Sequence, residues 1–218
     1  MSLKAQIDAF NVQKEANLPA DVLALMNTTN EELIAQHIRN NALQVGDKIE
    51  NFILPNHLGK NIELADLLDK GPVVVSFYRG AWCPYCNLEL KALNDFLPQF
   101  KTKSAQLVAI SPQLPDQTLT TAQKNELEFD VLSDVGNKVA QQFGLLFTLD
   151  KRIQELYTGF GIDFEQTYGD KTYQLPLPAT YVINQNGIIT YAFLNEDYTL
   201  RAEPSDVMAV LDLSLIHI

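Results

Sequence analysis

The sequence predicts an α/β protein in which a mixed central sheet is flanked by helices and preceded by a helical extension. The first observation is the apolar run 73–78, which is typical of a strand buried on both faces of a sheet. The second is the alternation of short apolar runs with helical patterns from Val45 onward, which favours parallel strands joined by helices. The third is the dipeptide Asn186-Gly187 between two apolar runs, which predicts a two-residue antiparallel hairpin.

Residues 1–44 are predicted to form the helical extension, packed as an appendage on a main domain at 45–212. An apolar stripe at helical spacing predicts its first helix. The members of that stripe are Leu3, Ile7 and Phe10. A second helix is expected to start at Thr29, because Glu32 follows at the spacing of a capping box.

The main domain carries the remaining predicted elements. The predicted strands are 52–54, 61–64, 73–78, 107–110, 129–132, 180–183 and 188–193, and the predicted helices are 84–97, 116–125, 137–143 and 204–211. Pro98 is expected to kink or end its helix, since proline lacks the backbone N–H that the helix needs. The aromatic-rich, glycine-broken segment 152–175 has three open interpretations: a lid over the cysteines, a dimer contact, or a long loop packed on its own domain.

Charge and hydropathy exclude several classes of partner. The net charge of −11 argues against nucleic acid, because binding phosphates requires clustered Lys and Arg. The same sign disfavours anionic membrane surfaces. No run approaches the roughly 18 apolar residues of a membrane span, and 1–19 lacks the apolar core of a secretory signal. A cytoplasmic protein is therefore expected, and two close cysteines are more often reactive than structural there.

The last six residues, 213–218, form a separate case. Their sequence, Leu-Ser-Leu-Ile-His-Ile, is one possible translation of the end of a common transposase sequencing adapter. The hypothesis is that this tail is a read-through artefact; the alternative is that a terminal helix continues through it. Under that hypothesis, the tail, including His217, contributes nothing to function.

Cys83 and Cys86 are the only cysteines of the 218 residues, and they lie between a predicted strand and a predicted helix. Cys83 is expected at the start of the helix and Pro84 at its first position, where a missing N–H is harmless. Unpaired N–H groups and the helix dipole then favour a thiolate on Cys83. Cys86 lies one turn later on the same face. We therefore interpret Cys83 as the nucleophile and Cys86 as the resolving thiol.

Two other uses of the cysteine pair fit the sequence less well. A zinc site needs two further ligands, and His37 and His57 stand alone in different segments. A structural disulfide this short would close almost no loop and would stabilise the fold little. A redox site that needs neither a metal nor an organic cofactor is therefore expected.

The order of strand, Trp82-Cys83-Pro84-Tyr85-Cys86 and helix, followed by Pro178 before the strand 180–184, resembles the thioredoxin fold. The resemblance implies that Pro178 is a cis-proline facing the cysteines, where its backbone would bind a substrate chain. The alternative is an ordinary trans-proline at the start of a strand.

Two further segments, 46–54 and 78–90, resemble the peroxiredoxin-like branch of the alkyl hydroperoxide reductase/thiol-specific antioxidant family. The resemblance covers about 45–211. It implies a thiol-dependent peroxidase in which the Cys83 thiolate reduces hydrogen peroxide or an organic hydroperoxide. Cys86 would then form a disulfide with Cys83, and thioredoxin or a similar dithiol would regenerate the reduced pair.

The sequence departs from that family in places that matter for peroxide cleavage. Peroxiredoxins usually have Thr or Ser three residues before the reactive Cys and Pro seven residues before it, where this sequence has Gly80 and Ser76. The peroxide-polarising Arg of that family is replaced near 177–178. Arg79 is a candidate substitute; it is equally a candidate for a simple ion pair at a strand end. Two alternatives to a peroxidase therefore stay open: a thioredoxin-like protein disulfide oxidoreductase and a non-catalytic redox sensor.

Three side chains near the cysteines have competing interpretations. Trp82 is expected to shield the thiol or contact a partner, or simply to pack beside the site. Tyr85 is expected either to stack on substrate or to be an exposed turn residue. Glu89 either assists proton transfer or is a solvated side chain on an exposed helix face. A homodimer is a further expectation.

Overall fold

The computed structural model describes residues 1–214. The helices are α1 (Leu3–Asn17), α2 (Ala20–Ile34), α3 (Leu64–Leu68), α4 (Pro84–Thr102), α5 (Pro115–Lys124), α6 (Lys138–Gln142), α7 (Lys151–Gly159), α8 (Phe164–Tyr168) and α9 (Pro204–Ser214). The strands are β1 (Ile53–Pro55), β2 (Asn61–Glu63), β3 (Val73–Phe77), β4 (Gln106–Ser111), β5 (Asp130–Ser133), β6 (Leu146–Thr148), β7 (Gln174–Pro176), β8 (Ala179–Ile183) and β9 (Ile189–Leu194).

Within residues 1–214 the central sheet has the strand order β5-β4-β3-β8-β9. β3, β4 and β5 run parallel to one another. β8 pairs antiparallel with β3, and β9 pairs antiparallel with β8. Val75 in the middle of β3 pairs with Val108 on one side and Tyr181 on the other. All of β3 is buried, as its unbroken apolar run predicts. The predicted α/β class with a mixed sheet is confirmed.

The two faces of the sheet bury different sets of helices, because successive β3 side chains point to opposite sides. Val74 packs with apolar residues of α1, α4 and α9. Val73 and Val75 pack with those of α2, α6, α7 and α8. Both cysteines lie on the α4 side. None of the helices in the described part of the chain is both long and apolar enough to cross a membrane.

The predicted start of the second helix is wrong. α2 begins at Ala20, directly after Pro19, and ends at Ile34, so Thr29 lies inside it. The Thr29 hydroxyl donates to the Leu25 carbonyl at 2.9 Å instead of capping a helix end. A local capping pattern is therefore overridden here by a helix that starts nine residues earlier.

The prediction that the helix ends at about 97 is also wrong, because α4 continues through Pro98 to Thr102. A kink at Pro98 stays a prediction. Leu97 and Phe100 are buried on either side of the proline. Packing of these side chains offsets the hydrogen bond that Pro98 cannot make.

The last two differences concern loops. The hairpin between β8 and β9 turns through 184–187, closed by Gly187 N–H donating to the Asn184 carbonyl at 2.8 Å, so the turn is longer than the two-residue hairpin expected. The segment 152–175 is not a long loop, since it forms most of α7, all of α8 and the start of β7. The hypothesis about the tail concerns residues that, from 215 onward, lie outside the described residues.

Candidate active site

The cysteine pair lies at the start of α4, which follows β3 in the chain. Cys83 is the N-cap of α4, and Pro84 is the first residue of that helix, as predicted. The Cys86 N–H donates to Cys83 Sγ at 3.4 Å. The N-terminus of α4 therefore points an unpaired backbone donor at the sulfur that the sequence predicts to be the nucleophile.

Arg79 contacts that sulfur directly. Its Nη2 donates to Cys83 Sγ at 3.2 Å, and the residue is only 2% exposed. The cation is packed between two aromatic rings, with its Cζ 5.0 Å from the Trp82 centroid and 4.2 Å from the Tyr198 centroid. Its Nη1 lies 3.5 Å from Tyr157 Oη. Of the two interpretations of Arg79, the geometry agrees with a residue of the thiol site.

A second guanidinium, from Arg201, reaches both sulfurs. Its Nη2 lies 4.0 Å from Cys83 Sγ and 3.5 Å from Cys86 Sγ. Sequence reasoning missed this residue, because Arg201 lies in an irregular segment between β9 and α9 with no periodic or motif signal. It brings a second cation to the cysteine pair.

Arg201 is held by Glu89. Arg201 Nε lies 2.9 Å from Glu89 Oε2, a charge contact without the alignment of a hydrogen bond. The Thr180 hydroxyl donates to Glu89 Oε1 at 2.8 Å. Glu89 is 1% exposed, so its interpretation as a solvated side chain is wrong. Burial raises the pKa of Glu89, and Arg201 and Thr180 act in the opposite direction.

The surroundings of the two thiols shift their pKa values in opposite directions. Burial raises the pKa of Cys83, but the hydrogen bond from Cys86 and the charges of Arg79 and Arg201 outweigh burial and hold that pKa well below its usual value. Burial raises the pKa of Cys86, and the neighbouring Cys83 thiolate raises it further. The pKa of Cys83 is therefore lowered and that of Cys86 raised, which is the direction that a Cys83 nucleophile and a Cys86 resolving thiol require.

The departure at Gly80 has a steric cause. Trp82 Nε1 donates to Tyr168 Oη at 2.6 Å, and Tyr168 Oη donates to the Arg79 carbonyl at 2.8 Å. A Cβ on Gly80 would lie 2.7 Å from Trp82 Nε1 and 2.9 Å from Tyr168 Oη. The Trp82–Tyr168 pair therefore occupies the space that a Thr or Ser side chain would need. α8 thereby holds the loop before Cys83, so Trp82 does more than pack beside the site.

Replacing Gly80 by Ala is expected to lower the free energy of unfolding by about 1–3 kcal/mol, because the added methyl displaces Trp82 or Tyr168. Urea unfolding measures this difference. Gly159→Ala is the matched control, since a Cβ there meets no atom within 4 Å. Equal stability of the two variants would contradict the steric account of Gly80.

Tyr85 is neither exposed nor free to stack on a substrate. It is 2% exposed and packs edge-to-face on Phe10 of α1, with ring centroids 5.1 Å apart. Its hydroxyl donates to Asn11 Oδ1 at 2.6 Å and accepts from Lys14 Nζ at 3.1 Å. Burial raises the pKa of Tyr85 to about 12. Both interpretations of Tyr85 are therefore wrong: it docks α1 onto the first turn of α4.

Pro178 is buried immediately before β8, whose first residue, Ala179, pairs with Phe77. This places Pro178 at the edge of the sheet from which the Cys83 loop leaves. Among the described residues no peptide bond is cis, so the cis prediction is wrong. In residues 1–214 no group of three His, Cys, Asp or Glu side chains is arranged to hold a metal ion.

Comparison with known proteins decides the family. The sequence profile described as the AhpC/TSA family matches residues 45–192. This chain belongs to the AhpC/TSA family. The predicted resemblance is confirmed, and α1 and α2 lie outside the matched region.

Family relatives carry two kinds of name. The protein named "Putative peroxiredoxin bcp" from Buchnera aphidicola is 40% identical over 103 residues, covering 47% of this chain and 65% of the relative. A Mycobacterium tuberculosis protein, also named as a peroxiredoxin, is 32% identical over 153 residues, covering 70% and 86%. The thiol-disulfide oxidoreductase ResA of Bacillus thuringiensis is 31% identical over 136 residues, covering 60% and 73%.

A solved structure supports the fold. The crystal structure of peroxidoxin BcpB from Mycobacterium tuberculosis superposes with a TM-score of 0.61 at 24% identity, covering 78% of this chain and 97% of the other. The predicted thioredoxin-like architecture is thereby confirmed.

Proposed function

We propose that this chain is a thiol-dependent peroxidase that reduces hydrogen peroxide or organic hydroperoxides through Cys83 and Cys86. The observation that carries the proposal is the pair of buried guanidiniums at one sulfur: Arg79 at 3.2 Å and Arg201 at 4.0 Å from Cys83 Sγ. Cations in this position stabilise the thiolate before reaction and the negative oxygen that leaves during it. The peroxiredoxin names among the relatives support the same activity.

In the proposed first step, the Cys83 thiolate attacks the terminal oxygen of the hydroperoxide. A sulfur–oxygen bond forms, the oxygen–oxygen bond breaks, and the leaving alkoxide or hydroxide takes a proton from solvent. Cys83 is then a sulfenic acid, and the peroxide has become an alcohol or water. Arg79 and Arg201 both place a cation within 4.0 Å of the reacting sulfur, so they would polarise the peroxide and stabilise the leaving oxygen.

In the second step, the Cys86 sulfur attacks the Cys83 sulfenic sulfur, a disulfide forms and water leaves. A thioredoxin-like dithiol then supplies two electrons and restores both thiols. Cys83 and Cys86 are both fully buried, so the reductant reaches the disulfide only after the start of α4 moves. We place this cycle in the cytoplasm, where such dithiols are kept reduced, and retain a homodimer as part of the proposal.

A protein disulfide oxidoreductase is the second candidate, favoured by the relatives named ResA. Its first step requires the Cys83 thiolate to meet a disulfide on another protein. With Cys83 Sγ enclosed by Arg79, Arg201 and the N-terminus of α4, that approach is blocked in the reduced state. Enclosure of this kind favours a small substrate over a protein disulfide.

Two assays on the same reduced protein separate these functions. In the first, peroxide consumption is coupled to a thioredoxin system; in the second, the protein reduces insulin disulfides. The proposal expects sustained peroxide turnover and insulin reduction no faster than that by a small dithiol. Insulin turnover without peroxide turnover would overturn the peroxidase in favour of the oxidoreductase.

Replacing Arg79 by Met is expected to slow peroxide reduction at neutral pH by about 10²-fold, because one preorganised donor is lost. The variant also loses a charge that lowers the Cys83 pKa. Because the reactive form is the thiolate, wild-type activity falls only when the pH drops through that depressed pKa. In the variant the pKa rises, so the fall in activity moves to higher pH. A pH–rate profile that does not move would contradict this role of Arg79.

A further inference from the structure

A cavity of about 190 Å³ opens between α2 of the N-terminal extension and α7. Its apolar lining comes from both sides. These residues are Met26 and Leu33 of α2, Phe147 and Leu149 of the β6 region, and Ile153 of α7. Because α2 lies outside the region that the family profile matches, this wall is a feature of this chain and not of the family's shared domain.

The same cavity reaches the catalytic cation. Arg79, Tyr157 and Tyr198 line it, and Arg79 Nη2 is the donor to Cys83 Sγ. Within the described residues, Arg79 Nε has no hydrogen-bond partner, although the residue is only 2% exposed. The buried Asn30 Oδ1, on the α2 wall, is likewise unpartnered within residues 1–214. Buried polar atoms without partners are costly, so a bound polar group in this cavity would relieve them.

The charges at the cavity are already engaged with partners. Glu32 and Asp150 line it and both pair with Arg152, and the Arg79 cation donates to Cys83 Sγ, so no charge is left over to recruit an ionic occupant. An apolar wall with a few polar groups is typical of a site for a small, neutral organic ligand. The volume suits a ligand with one aromatic ring or a short branched alkyl group.

We propose that this cavity binds the organic part of a neutral aryl or alkyl hydroperoxide and directs its O–OH group past Arg79 toward Cys83. This inference rests on the proposed peroxidase function and adds a specificity site to it. α2 thereby becomes a wall of the substrate site, and the extension selects for bulky hydroperoxides over hydrogen peroxide.

The test measures single-turnover rate constants for cumene hydroperoxide and for hydrogen peroxide. Thr29→Phe fills the cavity from α2, because Thr29 lines it and its hydroxyl bonds only to backbone of its own helix. Thr28→Phe is the matched control, since Thr28 is exposed and lies outside the lining. Thr29→Phe is expected to slow cumene hydroperoxide by at least about tenfold while hydrogen peroxide changes by less than about twofold. Thr28→Phe is expected to leave both rates unchanged.

Binding of the product alcohol gives a second readout. Trp82, the single tryptophan, packs on Tyr157 of the cavity with ring centroids 5.0 Å apart, so cumyl alcohol should change its fluorescence. Thr29→Phe should abolish this change. If that variant does not fold, Met26→Ala enlarges the same cavity and should raise the preference for the bulkier peroxide.

The possible failures are distinguishable. A wild-type protein that reduces neither peroxide faster than a free thiol overturns the peroxidase and this inference together. Rapid reduction of both peroxides, with a ratio that none of the cavity variants changes, overturns the inference and leaves the peroxidase standing.

Discussion

Replacing Cys83 by Ser is expected to abolish peroxide consumption, whereas Cys86→Ser is expected to complete one reduction and then stop. The physical reason is the difference between the two sulfurs. The hydrogen bond from Cys86 and the charges of Arg79 and Arg201 lower the pKa of Cys83, while burial and the neighbouring Cys83 raise the pKa of Cys86. Without Cys86 the sulfenic acid on Cys83 has no partner thiol in a chain with two cysteines.

Mass spectrometry after one equivalent of peroxide checks this prediction. Cys86→Ser should carry one added oxygen that a sulfenic-acid reagent traps, and the wild-type protein should show an intrachain disulfide. Cys83→Ser, of matched size, should stay unmodified. Oxidation of Cys83→Ser as fast as the wild type, through Cys86, would contradict the assignment of the two roles.

Replacing Arg201 by Met is expected to lower the free energy of unfolding by about 3–5 kcal/mol, because it strands a buried carboxylate. Glu89 loses the ion pair at 2.9 Å and keeps only the Thr180 hydroxyl. The Cys83 pKa rises at the same time, since one of its two cations is gone. Urea unfolding at neutral pH measures the first effect, and a thiol-alkylation rate against pH measures the second.

The double variant Arg201→Met with Glu89→Leu separates the two effects. Removing both members of a buried pair costs much less than removing one, so most of the lost stability should return. The Cys83 pKa should stay raised, because the cation is still absent. A single variant as stable as the wild type would contradict the view that Arg201 is tied to Glu89 and to the thiols.

Much of the fold follows from local signals that packing reinforces. The apolar run of β3 predicts a strand covered on both faces, and both faces are covered. Cys83 and Pro84 predict the start of α4, which begins there. Failures occur where packing overrides a local pattern: the Thr29 capping pattern lies inside α2, and Pro98 lies inside α4.

In the candidate site too, local sequence predicts some residues, and others are placed only by the fold. Cys83, Cys86 and Arg79 lie within eight residues of one another, so spacing alone places them near one helix start. Arg201 comes from 115 or more residues away and reaches the thiols only through the fold. The burial of Glu89 follows from its ion pair with Arg201, so neither residue carries a signal without the other. The relatives named as peroxiredoxins agree with the predicted activity, and the individual residue roles remain predictions.

The proposed cycle requires Cys83 to be a peroxide-reactive thiolate at neutral pH. The decisive experiment is stopped-flow mixing of the reduced protein with hydrogen peroxide, followed by Trp82 fluorescence between about pH 5 and about pH 9. We expect a rate at least about 10²-fold above that of a free thiol, level near neutrality and falling only in acid. A rate like that of a free thiol, rising with pH until about 8.5, would contradict it.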